Sequence, residues 1–270
     1  MVRGLAPSLM IAGACAAAAV LCFVSPTRAQ TADDRRCLQC HAQERIATDP
    51  VEDLRARVRL SAGEPPPPRA DQSKLYVTPD MLRESVHAGV ACAACHADAV
   101  ELPHAARLGE VNCTSCHAAA ADEYIQGVHA EAAARGMKDA PRCADCHGGH
   151  DVRRKSDPKS RTYPLNVIKV CGDCHSQHVG AAYHEGDGRL RVSQYLDSVH
   201  GRAVTKAGLI VAATCADCHG HHAIRRSDDV RSSVHHTRVP LTCGRCHVGI
   251  AESFAGSVHS EAVIREAKRE

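Results

Sequence analysis

The chain has 270 residues, yet only two Phe, five Tyr and no Trp, so its 44% apolar content cannot fill a core of ordinary size with large side chains. Some other source of apolar bulk and cross-linking has to offset the entropy of folding, and the 16 Cys and 19 His point to where it comes from. A formal charge of +2 gives no basic surface of the kind that nucleic acid requires.

Residues 1–29 read as a cleaved secretory signal: Arg3, an apolar run from Leu9 to Val24, then small residues before a cut after Thr27-Arg28-Ala29. Cys15 and Cys22 leave with it, and fourteen cysteines remain. Loss of Arg3 and Arg28 balances basic and acidic residues at 31 each. No later stretch reaches the ~18 to 20 apolar residues of a spanning helix, so the expectation is an exported, periplasmic chain with no retained membrane anchor.

All fourteen remaining cysteines fall in seven C-x-x-C-H motifs: Cys37 and Cys40, Cys92 and Cys95, Cys113 and Cys116, Cys143 and Cys146, Cys171 and Cys174, Cys215 and Cys218, and Cys243 and Cys246. Two thiols three residues apart reach the two vinyl groups of one haem, and the next residue lies under the iron. That makes His41, His96, His117, His147, His175, His219 and His247 proximal ligands and predicts seven covalently bound haems c. A zinc scaffold would not require a histidine directly after every cysteine pair, and disulfides would require none.

In chain order, residues 30–112 carry the first two motifs around a proline-rich connector at 61–70. Thr78-Pro79 then opens a short helix ahead of His87. Leu82, Tyr124, Tyr195 and Phe254 each stand five residues before the His of a Val-His pair, which gives His87, His129, His200 and His259 as distal ligand candidates on short helices. His150 and His222 lie three residues beyond a proximal His. That is too close to pass around their own porphyrin, so each is expected to reach a neighbouring haem. His104, in Glu-Leu-Pro-His, completes seven distal candidates for seven haems and argues for bis-histidine iron throughout. His178, His184, His221, His235 and His236 remain as substitutes.

From Cys113 the chain repeats a two-haem unit. Residues 113–170 form one copy. Residues 171–242 form a second, with an insertion around 180–191 that reads as an exposed loop. Residues 243–270 form a partial third whose second motif would fall just past Glu270, as in part of a longer design. The charge runs Arg153-Arg154-Lys155 and Arg225-Arg226 read first as solvated faces.

The C-x-x-C-H-G-x-H stretches, the Ser-Val-His segments and Glu-Leu-Pro-His together resemble the class III, doubled-C-x-x-C-H multihaem cytochromes c, over about Cys37 to His259. The resemblance implies a mainly α fold with much irregular structure and little or no β-sheet, extended around close-packed haems. It also implies electron exchange between a membrane cytochrome b or quinol dehydrogenase and a periplasmic or outer-membrane acceptor, with oligomerisation left open. An electron carrier with no catalytic residue is the first reading. A reductase of a small nitrogen or sulfur compound, with one open haem iron, is the second.

Overall fold

The computed structural model describes residues 32–50, 53, 56–59, 72–176 and 188–267. The signal segment, the proline-rich connector, His178 and His184 lie outside them. The described chain is a series of short helices joined by turns. No strand occurs among these residues; a single parallel bridge joins Arg59 to Ala105. This is the mainly α, irregular architecture expected.

Local chemistry sets most helix boundaries. Thr78 caps α1 (Pro79–Glu84): its hydroxyl accepts from the N–H of Met81 at 3.1 Å, and Pro79 occupies the first helical turn, a cap worth about 1 kcal/mol. Pro164 starts the longest helix, α2 (Pro164–His175). The loop expected at 180–191 is helical from Gly188, because Gly188–Asp197 forms α3, which packs on α4 (Val199–Thr205). Ser198 separates the two and caps α4 by accepting from the N–H of Gly201 at 3.0 Å.

Two Cys-Ala-Asp-Cys-His segments fold alike. Helices α5 (Cys143–His147) and α6 (Cys215–His219) each carry an Asp three residues in, Asp145 or Asp217, which accepts the N–H of Arg142 or Thr214 at 2.7 Å. Each helix ends on a glycine in the left-handed region, Gly148 at φ 89° and Gly220 at φ 79°, a conformation that a side chain disfavours. The chain therefore turns sharply away from the proximal histidine, carrying His150 and His222 with it. Farther on, Ser160 and Ser232 are both buried, and Tyr124 and Tyr195 donate their hydroxyls to Pro141 O and Ala213 O at 2.8 Å.

The protein core is thin. Only Ile46, Val77, Ala140, Ile168 and Val204 are buried apolar residues among those described, and no large side chain is fully buried. Leu241, Ile125, Ile250 and Val248 are mostly exposed. Side chains alone leave too little burial to offset ordering this much chain, so the fold depends on apolar bulk from another source.

Candidate haem sites

The central geometry is a set of six histidine pairs. His41 stands against His104 with ring centroids 6.1 Å apart, His87 against His117 at 5.9 Å and His96 against His150 at 6.0 Å. His129 faces His175 at 6.2 Å, His147 faces His222 at 6.0 Å and His200 faces His247 at 5.9 Å. Each pair joins one C-x-x-C-H histidine to one of the other histidines. Two imidazoles bonded through one nitrogen to an atom between them, with bonds of about 2 Å, place their centroids about 6 Å apart. The spacing fits one iron per pair and is too long for direct stacking.

The ring nitrogens are prepared for this. Nδ1 of His41 is 2.8 Å from Leu75 O, Nδ1 of His104 is 2.8 Å from Ala105 O, and Nδ1 of His222 is 3.1 Å from Glu123 Oε2. A proton held on Nδ1 leaves the lone pair on Nε2, the atom that binds metal. Burial pushes the pKa of His96, His129, His147 and His150 down, which keeps these rings neutral and able to ligate.

The cysteines are free thiols among the described residues, and burial raises several of their pKa values. Cys92 is pushed up to about 12 by burial and then by Asp34. Their placement follows motif order. Cys37 lies near Cys92, Cys113 near Cys143, and Cys171 near Cys215. Cys95 with Cys113, Cys146 with Cys174, and Cys218 with Cys243 are close enough to interact electrostatically. Each motif thus has a cysteine near one of the next motif. Free thiol pairs, neutral imidazole pairs at iron-spanning distance and a core short of apolar bulk together fit covalently attached haem. Bound there, a haem supplies one-electron chemistry at its iron; the protein's part is to hold the axial nitrogens, bury the ring and set its polarity.

The pairing also resolves which histidine meets which. His150 and His222 turn away from the motif beside them and meet His96 and His147, in each case the motif two places earlier in the chain. The Val-His histidines reach forward: His87 to His117, His129 to His175, His200 to His247. Of the substitutes, His221 packs edge-on against His222, while His235 and His236 face each other at 4.2 Å, with His236 also 3.2 Å from Glu266. His219 and His259 have no ring partner among the described residues.

Facing histidines beside C-x-x-C-H cysteines are the pattern of a multihaem c-type cytochrome. Residues 85–176, which span the motifs at Cys92, Cys113, Cys143 and Cys171, match the family Cytochrome c3, a family of multihaem electron-transfer cytochromes that carry covalently bound haem c. Comparison with curated proteins and with solved structures gave no match. No helix among the described residues is long and apolar enough to cross a membrane.

Proposed function

We propose that this chain is a periplasmic cytochrome that holds seven haems c and passes electrons along them, from a membrane quinol-linked donor such as a cytochrome b or quinol dehydrogenase to a periplasmic or outer-membrane acceptor. The observation that carries the reading is the set of six histidine pairs. An iron held between two imidazoles has no vacant position for a substrate, which leaves electron transfer as its chemistry. The closeness of cysteines of consecutive motifs supports it further, because each proposed haem then has a neighbour to which an electron can pass. Export to the periplasm rests on the leader at residues 1–29.

One observation favours the second reading, reduction of a small nitrogen or sulfur compound: His219 lacks a facing ring among the described residues. An optical titration separates the two. A pyridine haemochrome count of seven haems per chain, with at least six low-spin haems that ignore carbon monoxide after dithionite reduction, supports the carrier. Several haems that bind carbon monoxide, or a count well below seven, sink it. Turnover of nitrite, hydroxylamine or sulfite at the one open iron would establish the reductase.

A further inference from the structure

Glu123 touches one of the candidate ligand histidines. Its Oε2 accepts from Nδ1 of His222 at 3.1 Å, while the same ring faces His147 with centroids 6.0 Å apart. His41 and His104 instead present Nδ1 to the backbone oxygens of Leu75 and Ala105, both at 2.8 Å. A carbonyl is a neutral acceptor, whereas a carboxylate is charged, and hydrogen bonds to an ionised acceptor are roughly twice as strong as neutral ones.

The contact is held from both sides. Glu123 lies in the last turn of the helix Ala118–Tyr124. The hydroxyl of the next residue, Tyr124, donates to Pro141 O at 2.8 Å, two residues before Cys143. Three residues beyond Glu123, Gln126 accepts from Arg225 at 2.8 Å, and the N–H of Val128 donates to Ile224 O at 2.8 Å. The end of the helix is therefore fastened both to the approach to the Cys143 motif and to the segment that carries His222, so the carboxylate is kept within reach of the ring.

Glu123 is also the only acid at its place in the recurring pattern. It stands one residue before Tyr124, which is itself five residues before a Val-His histidine. The corresponding residues ahead of Leu82, Tyr195 and Phe254 are Met81, Gln194 and Ser253, none of which bears a charge. A histidine that shares its Nδ1 proton with a carboxylate becomes more electron-rich at Nε2, and a more basic nitrogen favours ferric over ferrous iron.

We propose that Glu123 is a positioning residue that lowers the reduction potential of the haem held at Cys143, Cys146 and His147, acting through the Nδ1 proton of His222. The proposal deepens the carrier reading and rests on it. The proton stays within the pair, and the carboxylate draws on it more strongly when the iron is ferric, because the oxidised metal takes more electron density from the ring. An electron then leaves this site for a neighbour more readily than it enters. The Glu123 side chain is 59% exposed, so solvent moderates the effect. Its expected size is about 3- to 10-fold in the one-electron equilibrium, in which tenfold corresponds to about 59 mV.

The test is a spectroelectrochemical titration of the full-chain holoprotein and its variants, with electron paramagnetic resonance of the ferric low-spin signals. Glu123→Gln keeps an acceptor for His222 but removes the charge; it should raise one midpoint by that amount and shift one low-spin signal, with the haem count unchanged. Asp122→Asn removes the same charge one residue away, at an exposed position of the same helix, and should move every midpoint far less. His222→Ala identifies the haem, since the low-spin signal it abolishes should be the one that Glu123→Gln shifts. Unchanged midpoints in Glu123→Gln would overturn the proposal and leave a surface ion pair. An equal shift in Asp122→Asn would overturn it in favour of bulk charge, and abolition of a different signal by His222→Ala would overturn it as well. Fewer than seven haems per chain, or every haem still low-spin in His222→Ala, would instead defeat the underlying carrier reading and the proposal with it.

Discussion

The stretches around His147 and His219 begin as near copies. Each is a Cys-Ala-Asp-Cys-His turn closed by an Asp on the preceding N–H and ended by a left-handed glycine. They differ in what covers them. His147 receives His222 from 75 residues downstream, whereas His219 receives no described ring. Closely similar local sequence therefore builds a closely similar half-site, and a segment far along the chain supplies the ring that faces His147.

The largest effect that would break this comparison is on His222. His222→Ala should convert one haem per chain to a high-spin, carbon monoxide-binding form, and its neighbour substitution His221→Ala should not; the two reduced spectra with carbon monoxide decide it. His259→Ala should leave every haem of the isolated chain unchanged by the same measurement.

Next in size is Gly127→Ala. A Cβ there would lie 2.9 Å from His222 O and 3.1 Å from both Ile224 N and Ile224 O, so the Gly-x-His segment would have to move off. Overpacking of this kind costs about 1–3 kcal/mol, to be read as a lower midpoint in denaturant. His219 and its surroundings should be unaffected.

Smaller still, Tyr124→Phe and Tyr195→Phe each delete one hydroxyl bond to a carbonyl at 2.8 Å, and each should cost about 1 kcal/mol in the same titration. Equal losses would support the equivalence of the two units, and unequal ones would break it.

The finest contrast is in acid. Glu84 holds Arg153, but the matching residue in the second unit is Gln126, which does not titrate. The hydrogen bond and charge of Arg153 lower the pKa of Glu84 below its ordinary 4.5. Its stabilising contribution is thus fully present above pH 4.5 and is lost as pH falls through the depressed folded value. Glu84→Gln should lower the melting temperature slightly at neutral pH and flatten part of its fall below pH 4.5, so that the two proteins converge in acid.

Much of the site was legible as spacing. C-x-x-C-H is a local pattern whose chemistry is set within five residues, so all seven motifs stand out without any knowledge of the fold. Thr78-Pro79 announced its helix for the same reason, through a cap and a first-turn proline. The equality of seven and seven histidines was also legible, but it is met by six facing pairs among the described residues. His259 lies on α7 (Val258–Ala267) and faces no ring among the described residues. Of the insertion at 180–191, residues 188–191 are helical where glycines and charges suggest a loop, and α3, which they open, packs on α4.

By itself the sequence determined the number and order of cysteine motifs, the proximal histidines, the short capped helices and the repeat, because each follows from contacts within one or two turns of chain. Only the tertiary structure decided which distal histidine meets which motif, across separations from 30 residues for His87 and His117 to 75 for His147 and His222. Such pairings depend on where whole segments come to rest, and many chain paths satisfy the same list of ligands; backbone contacts such as Val86 to Val152 and Val128 to Ile224 select one of them.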